Sequence, residues 1–256
     1  MPLAEFDRAE FFGADGGPGY FDYHAGEHAA WIYPTQKGKS HLMWQALGAA
    51  MQQNPDLSAV TLMPKAKSPS TSRWAESMQF RETPSWPPRR KLFQSKPAGY
   101  VVWPPHRRDL TAAEDRAQVA GVLREALHAR LWEGDGITIA DDLHILALMG
   151  LSAECEEMWT TGGEGGAGLW GANQKPSGTK TGSVSSFFYN CSSHLFLGKD
   201  TDHANVQRFS EIGGGINPVE IARIVRNLKL YRIGDKTISQ VLYVDMRGPY
   251  KALIGP

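Results

Sequence analysis

Three short segments of this 256-residue chain carry side chains whose types and spacing suit phosphate chemistry. The first is "AAWIYPTQKGKSHL", where Gly38-Lys39-Ser40 has the ending of the pattern G-x-x-x-x-G-K-[ST], although Tyr33 stands at the position of its first glycine. An apolar strand running through a turn into a helix lets successive backbone N–H groups and the helix amino terminus hold an anion. Lys39 would add charge there, and Ser40 a hydroxyl ligand for Mg²⁺. The competing reading is an ordinary basic turn that starts a helix. The second segment, "GDGITIADDLHIL", ends an apolar run in two carboxylates. Asp141 is assigned to the metal shell and Asp142 to activation of an attacking water, against the alternative of a helix N-cap. The third, "GLWGANQKPSG", places the amides of Asn173 and Gln174 at the end of a strand. Ligands of α/β proteins collect at that edge of the sheet, and an amide there can sense a phosphate or position water; a plain polar loop is the alternative.

The elements that must position these groups follow from periodicity. Short apolar runs at 29–33, 59–63, 99–103, 136–140, 168–172 and 194–198 read as strands, alternating with helical patterns. Helices are expected at 40–53, at 111–132 with Thr111 and Glu114 as a capping box, and at 217–228 with Asn217 as N-cap and Pro218 at the first helical position. A strand pair at 240–245 and 250–254 turns through Arg247-Gly248-Pro249. The expected fold is an α/β three-layer sandwich with a mostly parallel central sheet. It occupies residues 29–256 after an aromatic, Gly-rich N-terminal extension at 1–28, and carries a basic, Pro-rich insertion at about 64–98.

Composition narrows the class. A hydrophobic fraction of 41% is ordinary for a globular protein, and 27 Lys and Arg balance 27 Asp and Glu, so a general coat of positive charge for nucleic acid is excluded. Cys155 and Cys191 lack metal-ligand spacing and read as reduced, structural thiols. The chain offers neither a signal-peptide pattern nor a long apolar run, which leads to the expectation of a soluble cytoplasmic protein.

Taken in order, P-T-Q-K-G-K-S, I-T-I-A-D-D, A-N-Q-K-P-S and "SSHLFLGKDTDHANVQRF" resemble the FtsK/HerA group of RecA-like P-loop motor ATPases, of the additional-strand catalytic-acid class, over roughly residues 28–212. The resemblance implies ATP and Mg²⁺ as ligands. It makes the turn Pro34, Thr35, Gln36, Lys37, Gly38, Lys39, Ser40 and His41 the nucleotide contact, with Ser40 and Asp141 on the metal, Asp142 as catalytic acid and Gln174 as sensor. It further implies a homo-oligomeric ring, such as a hexamer, in which an arginine of one copy completes the next copy's site; Arg208 is the candidate, with Arg223 and Arg226 behind it. The chain departs from the family at Tyr33 and Gln36, which replace loop glycines, at Asp142 in place of Glu, and at Asn173 and Lys175 in the sensor segment.

Charge is concentrated locally. Residues 64–108 hold ten basic side chains against two acidic ones, with Trp74, Phe80, Trp86 and Phe93 interleaved. This reads either as a nonspecific, salt-sensitive DNA surface centred on Arg89, Arg90 and Lys91, or as a solvated loop packing its own aromatics. The functional expectation is an ATP-driven DNA translocase or DNA-packaging motor, a build that would suit a phage or mobile element and hence a host cytoplasm. The alternative is a nucleotide-binding assembly or regulatory protein with weak hydrolysis. A small-molecule kinase fits the adjacent acids less well.

Overall fold

The central strand of the chain reads Ala-Ala-Trp-Ile, buried on both faces, as a strand flanked by parallel neighbours and covered by helices should be. The computed structural model describes residues 3–13, 19–67, 69–89, 95, 97–175, 185–209, 217–248 and 250–256. Pro176, Ser177, Arg90, Lys91, Phe93 and Pro249, all singled out in the sequence, lie outside the described residues. In chain order the elements are β1 (Ala4–Phe6), α1 (Arg8–Phe12), β2 (Ala29–Ile32), α2 (Lys39–Gln53), β3 (Ser58–Leu62), α3 (Pro69–Ser77), β4 (Phe80–Thr83) and β5 (Gly99–Val102). There follow α4 (Ala112–Glu133), β6 (Gly136–Ala140), α5 (Leu143–Leu148), α6 (Ser152–Thr161), β7 (Ala167–Asn173), α7 (Phe187–Asn190) and β8 (His194–Gly198). The chain closes with α8 (His203–Phe209), α9 (Pro218–Asn227), β9 (Leu230–Ile233), β10 (Lys236–Ser239), β11 (Val241–Asp245) and β12 (Lys251–Ile254).

Among the described residues ten strands form one sheet in the order β1-β12-β11-β8-β2-β7-β6-β3-β5-β4. From β8 to β4 every pairing is parallel, and β11 alone runs against both its neighbours, β8 and β12. Strand β7 separates β2 from β6, so the strand entering the G-K-S turn and the strand ending in Asp141 are not adjacent. Alternate residues of β2 feed two cores. Ala30 and Ile32 meet Leu123, Leu127 and Val225 on the face covered by α4, α6 and α9. Ala29, Trp31 and Tyr33 meet Phe11, Leu42, Met43 and Leu47 on the face covered by α1 and α2. The expected three-layer, mostly parallel sandwich is the observed one.

Local chemistry fixes the helix starts. Thr111 and Glu114 form the reciprocal capping box at the start of α4, and the Asn217 side chain accepts the amide of Val219 at α9. The stretch 1–28 contributes β1, paired in parallel with β12, and α1 against the core. Within 64–98 lie α3 and the edge strand β4. Phe80 and Trp86 are core residues there, so they are withdrawn from any base-stacking surface.

At the opposite edge from the G-K-S turn, a polar network locks β8, β11 and the entry to β2. Buried His194 bonds Tyr243 Oη through Nδ1 at 2.8 Å and Glu27 through Nε2 at 3.0 Å, while Arg247 Nη1 donates to Glu27 at 2.7 Å. Burial by itself would raise the Glu27 pKa, but the bonds from His194, the His24 amide and Arg247 outweigh it and hold the carboxyl at about 2, below its ordinary 4.5. A carboxyl depressed in this way contributes stability that is fully present above about pH 4.5 and is lost as the pH falls towards 2. Glu27→Gln is therefore expected to lower the urea midpoint near neutrality and to flatten the acid limb of the stability curve. A variant that keeps the wild-type slope in that window would refute the assignment.

Candidate nucleotide site

The turn between β2 and α2 is built by backbone conformation rather than by glycine count. Gly38 caps α2 with φ at 85° and, among the described residues, no side-chain cap meets the amides of the first helical turn, the arrangement in which a helix end can take an anion. Gln36, at a position where the resembling family has glycine, also sits in the left-handed region with φ at 58°. Such a conformation costs an L-residue about 1–2 kcal/mol, so the turn is held by its surroundings. Part of that hold comes from the hairpin β9–β10, whose last residue donates its amide to the Lys37 carbonyl at 3.2 Å.

Tyr33 does not break the loop. Its backbone stays outside the left-handed region, its amide donates to the Asn173 carbonyl at 3.3 Å, and its ring is fully buried. The room comes from Gly198 at the end of β8, where a Cβ would stand 2.2 Å from Tyr33 Cγ. A large residue on one strand is thus matched by a missing side chain on the next.

The sequence-predicted groups converge. Lys39 Nζ donates to the Tyr33 carbonyl at 3.3 Å, folding the lysine back over the turn. Ser40 Oγ donates to Asp141 Oδ1 at 2.7 Å, joining residues 101 positions apart in the chain. Burial pulls Lys39 down to about 8, against the opposing pull of Asp141 and then Asp142. Burial pushes Asp141 up, against the Ser40 hydrogen bond and the charges of Lys39 and Lys65. A hydroxyl, a carboxylate and an ammonium at the amino end of a helix are groups of the kind that fit a phosphate chain and a divalent cation, with Ser40 and Asp141 the oxygens that could hold the cation.

The remaining residues are placed as follows. Asp142 is the N-cap of α5, its Oδ1 accepting the Ile145 amide at 3.2 Å, so the competing capping reading is realised; its Oδ2 is paired with Lys65. Asn173 is buried at the end of β7 with its side chain bridging Gln174 N and the Lys175 carbonyl, while the neighbouring Gln174 is exposed. Pro34 is half-buried, as are Lys37, Gly38, Lys39 and Ser40, whereas Thr35, Gln36 and His41 are exposed. Arg208 is half-buried in the last turn of α8 and has an interaction within the chain; Arg223 and Arg226 are exposed on α9. Arg89 is exposed in the connection between β4 and β5. Several cations counted towards a DNA surface have intramolecular partners: Lys65 with Asp142, Lys67 with Glu82, and Arg107 with Asp109 at 3.0 Å. Lys65 is a site residue that sequence reasoning missed, because only the parallel register of β3 and β6 sets the loop after Leu62 beside Asp142.

No protein-family model and no curated protein matches the sequence. Solved structures do. The genome packaging NTPase B204 from Sulfolobus turreted icosahedral virus 2 in complex with sulfate superposes with a TM-score of 0.58 at 11% identity, covering 90% of this chain and 96% of that one. The same protein in complex with ATP-gammaS gives 0.57 at 12% identity over 90% and 98% of the two chains. B204, the DNA-packaging ATPase from Sulfolobus turreted icosahedral virus, gives 0.56 at 13% over 91% and 99%. This chain therefore has the α/β fold of the RecA-like P-loop NTPases; at such identity the likeness establishes the fold alone. Among the described residues no helix is long and apolar enough to cross a membrane.

Tyr33→Gly, which would restore the loop glycine of the resembling family, is expected to destabilise the protein by about 3–5 kcal/mol, because it empties a fully buried aromatic site opposite Gly198. Denaturant unfolding measures it; a loss below about 1 kcal/mol would mean that the ring does not brace the turn.

Proposed function

We propose that this chain is an ATP-hydrolysing motor of the FtsK/HerA type that translocates or packages DNA. The observation that carries the reading is the contact of Ser40 with Asp141 beside Lys39, at the uncapped amino end of α2. The B204 fold supports it, and B204 is a DNA-packaging ATPase. In this reading the amides of Gly38 to Ser40 and the Lys39 ammonium bind the β- and γ-phosphates, and Ser40 and Asp141 hold Mg²⁺. The cation would neutralise charge gathering on the phosphates. Asp142 takes the proton of the attacking water, and Asn173 with Gln174 senses the terminal phosphate from the end of β7. Copies assemble as a ring, with Arg208 offered to the neighbouring site, and exposed cations such as Arg89 meet the phosphate backbone without reading sequence.

One observation favours the slower alternative, a nucleotide-gated assembly protein. Asp142 is fully engaged by Lys65 and the Ile145 amide and must leave that pair before it can accept a proton. Hydrolysis of ATP with Mg²⁺, measured with and without duplex DNA, separates the two. Turnover that rises with DNA and falls about 100-fold or more in both Lys39→Ala and Asp142→Asn supports the motor. Lys39-dependent binding without turnover supports the alternative. Nucleotide affinity unchanged in Lys39→Ala would sink both.

A further inference from the structure

Arg8, the first residue of α1, is only 7% exposed, and its Nε and Nη2 atoms have no hydrogen-bond partner among the described residues. Its distance to Gly38 locates the guanidinium. Its Nη2 is 3.6 Å from the place a Cβ on Gly38 would occupy, with Ile238 of the hairpin on the same side. Its charge acts on the Tyr33 hydroxyl, itself buried and without a partner. Its charge, with that of Lys236, adds to burial in lowering the pKa of His41 in the first turn of α2. The cation is therefore lodged against the amino end of α2, between the strand end and the first helical turn.

An isolated buried charge is costly, and the positive end of a helix dipole makes this position worse. Arg130, also buried, has no partner for its Nε among the described residues but shows the usual compensation for its charge, pairing with Glu133 at 2.9 Å. Among the described residues Arg8 has no carboxylate partner, and the neighbouring amides of α2 have no side-chain cap. Both absences are met by one small anion with several acceptor oxygens, since the Nε and Nη2 edge of a guanidinium presents two donors side by side, the geometry that takes a phosphoryl group.

We infer that Arg8 is a second phosphate-binding cation, supplied by the N-terminal segment to the nucleoside triphosphate that Lys39 and the Gly38–Ser40 amides hold. The inference rests on the phosphate-loop reading of that turn. It gives residues 1–28 a role in ligand binding as well as in the sheet edge, and it sets a stability penalty in the free protein against affinity for the bound one.

The test is calorimetric titration of ATP-gammaS with Mg²⁺ into wild type, Arg8→Met, Arg8→Lys and Lys39→Ala, with thermal unfolding of each nucleotide-free protein. Arg8→Met should weaken binding about 10- to 100-fold, the loss expected for hydrogen bonds to a charged group. It should leave the unfolding temperature of the free protein unchanged or raise it, whereas a merely structural arginine would lower it. Arg8→Lys should retain part of the affinity. Wild-type affinity in Arg8→Met while Lys39→Ala fails to bind would overturn the inference and leave the loop standing; wild-type affinity in Lys39→Ala would overturn the loop reading itself. Should Arg8→Met not fold, Arg8→Lys decides, since a folded lysine variant with undiminished affinity also overturns the role of Arg8.

Discussion

The hydrogen bond from Ser40 Oγ to Asp141 Oδ1 is the contact around which the site is organised. It spans two strands that do not touch, β2 and β6, with β7 between them. For the hydroxyl and the carboxylate to meet, β2, β7 and β6 must run parallel and in fixed register, and α2 must leave the end of β2 at one angle. The register places Ile32 opposite Asn173 and Ala140 opposite Gly171, so all three strand ends open on the same edge. The buried aromatic stack of Trp31 on Phe196, with centroids 4.6 Å apart and ring planes nearly parallel, pins β2 to β8 and opposes a one-residue slip that would turn every side chain over.

The turn itself keeps its course from strand to helix with fewer glycines than the resembling family has there. Loop glycines serve either a left-handed backbone or a close approach. Gln36 accepts the first cost, with support from the hairpin at Lys37, and Tyr33 avoids it by remaining an extension of the strand. The price of Tyr33 falls on Gly198 instead, on a different strand and far away in sequence. A motif scan that scores the loop alone registers two losses; the folded chain has redistributed them.

This explains which parts were legible. Strands β2, β3, β5, β6, β7 and β8 could be read within a residue or so because each is a short apolar run between turns, and α4 because its capping box is local. The antiparallel pair β11–β12 was equally plain. The hairpin β9–β10 was overlooked although Gly234 and Asp235 form a two-residue turn between residues 230–233 and 236–239, because basic side chains interrupt its apolar alternation. Helix α3 and strand β4 were hidden by the Pro-rich and basic composition around them. In the site, Lys39, Ser40 and Asp141 were legible because their order along the chain is itself the signal. Lys65 and Arg8 were not: each reaches the site only through tertiary structure, one by strand register and the other by the packing of α1 on α2.

Electrostatics then joins the site to the stability of the whole. Lys39 and Lys65 approach a helix end that is already positive and are opposed by Asp141 and Asp142, while Arg8 lies beside the N-cap Gly38. The depressed pKa of Lys39 and the raised pKa of Asp141 have the same origin, since burial disfavours both charged forms more than their mutual attraction repays. Under the proposed function, a bound polyanion would offset this burial cost. Part of the binding free energy is then relief of a cost already present in the free fold, so ligand affinity and resting stability must trade against each other at these positions. Lys65 extends the same logic to Asp142. Its ammonium is paired with that carboxylate, and under the proposed function a polyanion that drew Lys65 away would free the acid to accept a proton.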